Sequence, residues 1–271
     1  MKLLKPFSNS RSKFLVFLLT ILFILLFFKD QEYENHNLRV NSEFTEKVLS
    51  GVEVNIDELP ISVSSKAILH LVENHKEEKS CKTCNKVQQK LAERALTANI
   101  LDKLGPCNFL VFGTGFDSVM WSALNSGRTV FLEDNLSWIE KVKGAAPFLE
   151  IYKVHYPVRR RDYPLSLQRY QKDCKSQGAK EHCFLFLQLP QEIRVVNWDI
   201  IMVDAPSDAG DDTPSRQMSI FTAATLARMN KFGAHVLVHD AYREVERTFS
   251  DEFLCPENLI ESLDRSAKLF S

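Results

Sequence analysis

Asn108-Phe-Leu-Val-Phe112, followed at once by Gly113-Thr-Gly115, is the stretch that decides how this chain folds. A short apolar run closed by glycines reads as a fully buried strand, and the glycines let the backbone turn sharply where the strand ends. Working outward, the same unit repeats. A helix-like stretch runs through Val119 to Leu124, and Arg128 to Leu132 (RTVFL) is a second strand ending at Glu133-Asp134. A helix over Leu136 to Lys143 leads to a third strand around Ile151 to His155. Trp198 to Val203 (WDIIMV) is another buried strand, ending in Asp204-Ala-Pro206. A long helix over Ser215 to Asn230 precedes a last strand, Ala234 to Val238, which ends in His239-Asp240. Strands alternating with helices predict an α/β domain with a parallel sheet and right-handed crossovers.

In such a sheet the chemistry lies outside the carboxyl ends of the strands. Gly113 and Gly115 allow close approach of a ligand, and Glu133, twenty positions beyond Gly113, is spaced to accept from ribose hydroxyls. This pattern suits NAD as well as S-adenosylmethionine. Asp204, His239 and Asp240 end neighbouring strands and are expected to face one crevice. Methyl transfer to a hydroxyl needs the oxygen aligned behind the methyl carbon and needs its proton removed. A base (His239 or Asp240) or a divalent metal cation held by Asp204 and Asp240 would do this. The plainer alternative is that Asp204 caps its turn and His239 satisfies a backbone group.

Upstream, residues 61 onward show helical spacing at Ala67, Ile68, Leu71 and Val72, and again at Leu91, Ala95, Ala98 and Leu101. Phe14 to Phe28 (FLVFLLTILFILLFF) carries no charge, Pro or Gly, and no small-residue cleavage site follows it. It reads as an uncleaved signal anchor. Lys2, Lys5, Arg11 and Lys13 precede it and acids follow, which keeps the N-terminus cytoplasmic and the bulk of the chain luminal. The expected organisation is a cytoplasmic tail (1–13), a transmembrane anchor (14–28), a polar stem (29–60) and a luminal domain (61–271). A short anchor suits membranes early in the secretory pathway, so a single-pass type II Golgi protein is expected. Six cysteines in an oxidising lumen favour disulfides, with Cys174 and Cys183 a plausible local pair. Cys81-Lys-Thr-Cys84 lacks the further ligands of a structural zinc site. A formal net charge of -1 points to no nucleic-acid partner.

The blocks CNFLVFGTGFDSVMWSALN, GRTVFLED, WDIIMVDAP, SIFTAATLAR, VHDAYREVER and DEFLCPENL, in that order, resemble a plant polysaccharide-biosynthesis family. It comprises glucuronoxylan 4-O-methyltransferases, related arabinogalactan methyltransferases and irregular-xylem proteins. The resemblance implies a Rossmann-like class I S-adenosylmethionine-dependent methyltransferase fold and a place in Golgi xylan synthesis. It implies methyl transfer to O4 of glucuronic acid in an acidic polysaccharide, glucuronoxylan, with other xylan-synthesis proteins as partners. By position it makes Gly113, Gly115, Asp117 and Ser118 the cofactor loop and Glu133 the ribose contact. It offers Arg216 as a bidentate partner for the uronate carboxylate, against a plain salt bridge. Two departures stand out: Phe116 occupies a position where the family's methyltransferases carry His, and Ser215 replaces a Gly. The carboxyl-terminal third is closer to the irregular-xylem branch, which implies a non-catalytic xylan factor as the alternative. Arg159-Arg-Arg161, with Tyr163 and Tyr170, reads as a solvated loop or as a track for an acidic glycan. The sequon Asn135-Leu-Ser137 follows the ribose-contacting acid so closely that a glycan there would crowd the cofactor.

Overall fold

The computed structural model describes residues 55–59, 61–76, 87–176, 180–207, 210–263 and 266–271. The expected tail and anchor, the stem before residue 55, and Cys81 and Cys84 lie outside these residues. Among the described residues no helix is long and apolar enough to cross a membrane. Packing begins ahead of position 61, because Ile56 and Leu59 are already buried in the core.

Two helices come first, α1 (Val63–Lys76) and α2 (Leu91–Leu104). Ser62 and Ser65 at the start of α1 donate their hydroxyls to Asp102 near the end of α2, at 2.9 and 2.8 Å, tying the two together. The alternation then runs as expected, with ends shifted by one or two residues. Its first half is β1 (Phe109–Phe112), α3 (Ser118–Leu124), β2 (Thr129–Glu133), α4 (Leu136–Ala145) and β3 (Glu150–Lys153). After α5 (Tyr163–Arg169) and the short α6 (Gln191–Arg194) come β4 (Ile200–Val203), α7 (Gln217–Met229) and β5 (His235–His239). The chain closes with α8 (Glu244–Phe253) and a hairpin of β6 (Leu259–Leu263) and β7 (Ala267–Phe270).

The seven strands lie in the order β3-β2-β1-β4-β5-β7-β6. β1 to β5 are parallel, as the alternation predicts. The expectation of a wholly parallel sheet needs correcting at one edge, where β7 runs antiparallel to both β5 and β6. A hairpin return, unlike a helical crossover, reverses direction.

The central strands are buried on both faces, so their side chains alternate between two cores. Leu110, Phe112, Leu132, Ile201, Val203 and Val238 pack with α7 and α8. Phe109, Val111, Phe131, Ile200, Met202 and Leu237 pack on the other face with α1 to α4. Each such residue contributes roughly 1.5–3 kcal/mol of burial, which is why the strands are legible as unbroken apolar runs.

The cysteine expectation holds for Cys174 and Cys183, which are joined, while Cys107 and Cys255 are thiols. Tyr170 offers no platform for a sugar: it is buried edge-on against Phe221 and Phe253, with centroids 5.7 and 4.8 Å away. The basic stretch is tied down locally, Arg161 pairing with Asp212 and Arg160 lying 3.9 Å from Asp211.

Candidate active site

Register builds the site. Phe112 pairs with Leu132 on one side and Val203 on the other, and Val203 pairs with Val238. The next residue of each strand, Glu133, Gly113, Asp204 and His239, therefore falls in a single row across the carboxyl ends of β2, β1, β4 and β5. Strand alternation turns this row toward the α1–α4 face. A cleft of about 540 Å³ opens over it, within the size range of small-molecule sites. Asp204, His239 and Asp240, expected to face one crevice, line it, and so do Gly113, Gly115, Asp117, Ser118, Glu133 and Arg216.

The glycine turn is stringent. Gly113 has φ +110°, and a Cβ there would sit 2.9 Å from the Cβ of Ala205. A Cβ on Gly115 would come within 2.6 Å of Asp117 Oδ1. Ser118 closes the loop, its Oγ accepting from Gly115 N at 2.9 Å. Glu133 is the hub of the loop. Its Oε2 accepts from Thr114 N and Oγ at 3.0 and 2.8 Å, and its Oε1 from the amides of Asp134 and Asn135 at 3.1 and 3.0 Å. Burial pushes its pKa up, against the pull of those donors. Asn135 Oδ1 caps α4 by accepting from Trp138 N at 3.2 Å, so the sequon asparagine is built into the cleft wall.

Asp117 is pushed up to about 6, first by loss of hydration and then by the charge of Asp204. Asp204 is gripped at both oxygens. Gln89, just ahead of α2, donates to Oδ2 at 3.0 Å, and Arg216, just ahead of α7, donates to Oδ1 at 3.1 Å.

Arg216 is 3% exposed, and each of its three side-chain nitrogens hydrogen-bonds at or just past the ends of β4 and β5. Nε donates to Pro206 O at 3.3 Å, Nη1 to His239 O at 2.8 Å, and Nη2 to Asp204 O and Oδ1 at 3.0 and 3.1 Å, while Asp240 Oδ2 forms an ion pair with Nη1 at 3.0 Å. The guanidinium thus locks the ends of β4 and β5 together. Arg216, offered from the sequence as a partner for a uronate carboxylate or as a plain salt bridge, makes a salt bridge to Asp204 and Asp240. One expectation is corrected. The place between Asp204 and Asp240 where a divalent metal was expected is bridged by the guanidinium itself. Among the described residues no group of three or more His, Cys, Asp and Glu forms a metal site. Asp240 takes a left-handed φ of 54°, a conformation short acidic side chains tolerate better than most.

His239 is 3% exposed. Its Nδ1 faces Glu93 Oε1 at 3.5 Å, while its Nε2 has no partner among the described residues. Glu93 is itself fixed, Oε2 accepting from Lys90 N at 2.6 Å in the first turn of α2. Burial depresses the pKa of His239, but Asp204 and Glu93 together outweigh it and hold the imidazole above its ordinary value. His239 meets a charged partner rather than a backbone group through its ring. Gln89 and Glu93 went unread in the sequence because a polar residue just ahead of a helix and one in its first turn are ordinarily solvated.

At the mouth, Phe116 and Trp138 meet edge-to-face at 5.2 Å, and the Trp138 indole donates to Thr114 O at 2.9 Å. Phe116 thus fills its position by packing on Trp138.

A sheet of this order, with a glycine turn after β1, an acid ending β2 and a cleft at the point where strand order reverses, defines a Rossmann-like fold. The chain belongs to the IRX15/IRX15L/GXM family, whose model matches residues 92–269. Three relatives come from Arabidopsis thaliana. Arabinogalactan O-methyltransferase 1 is 43% identical over 66% of this chain and 65% of its own length. Glucuronoxylan 4-O-methyltransferase 1 is 46% identical over 62% of each. Glucuronoxylan 4-O-methyltransferase 2 is 36% identical over 93% of this chain and 86% of its own length. The matches to the first two span less than two thirds of those proteins. Sheet and family together bear out the Rossmann-like methyltransferase fold expected from the sequence.

Proposed function

We propose that this protein is an S-adenosylmethionine-dependent O-methyltransferase acting on O4 of glucuronic acid side chains of glucuronoxylan in plant cell-wall synthesis. The observation that carries the reading is His239: a buried imidazole in the cleft wall, oriented at Nδ1 by Glu93 and unpartnered at Nε2. That is the arrangement of a general base.

The cleft fits the cofactor. Gly113 and Gly115 leave room for close approach, and Glu133 would hold ribose hydroxyls in place of the Thr114 hydroxyl it now accepts. Six acids line the cleft (Glu93, Asp117, Glu133, Asp134, Asp204, Asp240) against two arginines, a field that favours a cationic ligand. S-adenosylmethionine supplies a methyl group on a positively charged sulfur. The chain's own part is to seat the acceptor hydroxyl beside His239 and take its proton at Nε2, which Glu93 then stabilises as imidazolium. Asp204 and Asp240, locked by Arg216, hold the walls on either side. The names of the relatives support glucuronic acid as the acceptor, with arabinogalactan glucuronic acid as a variant of the same chemistry.

The apolar run 14–28 and its basic flank support a type II anchor in the Golgi membrane with the domain luminal, near other xylan-synthesis proteins. Phe116, packed on Trp138 where the resemblance leads one to expect His, favours the second reading, a non-catalytic xylan factor that retains the cleft.

Calorimetry of S-adenosylmethionine binding to the full chain in detergent separates the two, followed by assay of methyl transfer to glucuronoxylan. Binding with transfer that His239→Gln removes supports the enzyme. A folded protein that binds no S-adenosylmethionine refutes it.

A further inference from the structure

We propose that Arg243 is the residue that reads the acceptor's carboxylate, and that it thereby directs the reaction to the hydroxyl next to an acid group; this rests on the methyltransferase reading above. A uronate entering this cleft meets six carboxylates, and like charges at such distances repel strongly where water is scarce. Acceptance of an acidic sugar therefore requires a cation with donors to offer.

Among the described residues lining the cleft there are two arginines, Arg216 and Arg243. The Arg216 side chain is 4% exposed and already paired with Asp204 and Asp240. Arg243 differs. Its side chain is 28% exposed, and its Nη2 lies 3.1 Å from Asp240 Oδ2. Its Nη1 has no hydrogen-bond partner among the described residues, with Glu246 Oε1 3.9 Å away. Nη1 is turned toward the buried Glu246, and the part of the guanidinium left open to the cleft is what an incoming carboxylate can pair with. The guanidinium also lies 6.0 Å from the ring centroid of Tyr242, which is 52% exposed and presents an aromatic face beside it.

Placement supplies the regiochemistry. In a hexuronic acid the carboxyl carbon is bonded to C5, the neighbour of the carbon bearing O4. A group holding the carboxylate must then sit close to the group that deprotonates O4. Arg243 stands four residues beyond His239, at the start of α8, and Asp240 links them. Asp240 Oδ2 binds Arg243 Nη2 at 3.1 Å and Arg216 Nη1 at 3.0 Å, and that same Nη1 holds His239 O at 2.8 Å. Carboxylate reader and base are thus fastened to one frame.

The test uses the full chain loaded with S-adenosylhomocysteine, which prevents turnover. Its affinity is measured for a glucuronic-acid-bearing xylo-oligosaccharide and for the same oligosaccharide with the carboxyl reduced to an alcohol. The wild type should prefer the acid. Arg243→Gln should weaken acid binding by about ten- to a hundredfold, the range for a hydrogen bond to a charged group, and leave the reduced compound unchanged. Arg243→Lys should recover part of the preference. Equal weakening of both ligands, or of neither, overturns the proposal. So does a wild type that binds S-adenosylhomocysteine yet shows no preference, an outcome that leaves the methyltransferase reading intact. A wild type that binds no S-adenosylhomocysteine brings down that reading and this inference together.

Discussion

Replacing Asp117 by Asn should make the protein more stable at neutral pH while weakening its hold on a cationic cofactor. Asp117 lies in the cleft wall with its pKa raised from 3.8 to about 6, by burial first and then by Asp204. For an acid whose native pKa is raised, the folded state binds the proton more tightly than the unfolded state. Its contribution is therefore at its fullest below the unfolded pKa and is lost as pH rises through about 6. Integrating that shift, the ionised carboxylate costs at most about 3 kcal/mol at pH 7.5 and about 1 kcal/mol at pH 4.5. The side chain is partly open to the cleft, so screening trims the measured gain at neutral pH to about 1–2 kcal/mol. Urea unfolding of the wild type and Asp117→Asn, followed by tryptophan fluorescence at both pH values, reads the difference directly. Asp117→Asn less stable than the wild type at pH 7.5, or a gain that fails to shrink toward pH 4.5, would refute the electrostatic account. In the same preparations S-adenosylmethionine should bind the wild type more tightly as pH rises through 6, and the variant should lose that dependence.

Transfer should rise with pH as the His239 imidazole loses its proton, with a midpoint above the ordinary histidine value; Glu93→Gln, which removes a carboxylate that holds it up, should move that midpoint to lower pH in a rate–pH profile. An unmoved midpoint would separate Glu93 from the base. Arg216→Met should cost about 3–5 kcal/mol in chemical unfolding, because it leaves Asp204 and Asp240 without the cation that bridges them; a loss below about 1 kcal/mol would mean that the strand ends need no clamp. Replacing Cys174 and Cys183 by Ser should cost about 2–3 kcal/mol, as expected for opening a loop with a sequence separation of 9, with S-adenosylmethionine affinity unchanged because the bridge lies outside the residues lining the cleft.

The strands were legible because each central one is buried on both faces and so appears as an apolar run closed by a turn signal. Their spacing also located the cleft. Once the first, second, fourth and fifth strands are parallel and adjacent, the residues that end them must share a row, and so Gly113, Glu133, Asp204 and His239 came together. The C-terminal hairpin was illegible. LIESL and AKLF are short and mix polar with apolar residues, so their antiparallel course is set by pairing with each other and of AKLF with β5.

What the sequence determined by itself is the α/β order and the composition of the cleft's floor, because both follow from local runs and their sequence of appearance. How the polar groups are shared out follows from tertiary packing. Arg216 could be read as a ligand for an acid or as a salt bridge, and the fold gives it acceptors on two strand ends and pairs it with Asp204 and Asp240. Asp204 and Asp240 looked like metal ligands, and the same guanidinium stands between them. Gln89 and Glu93 carry no signal of a site in the sequence, and packing of α2 on the sheet brings them to Asp204 and His239. A hydrogen bond is directional and its partners come from anywhere in the chain, so residue type announces a capacity and the fold determines which groups it meets.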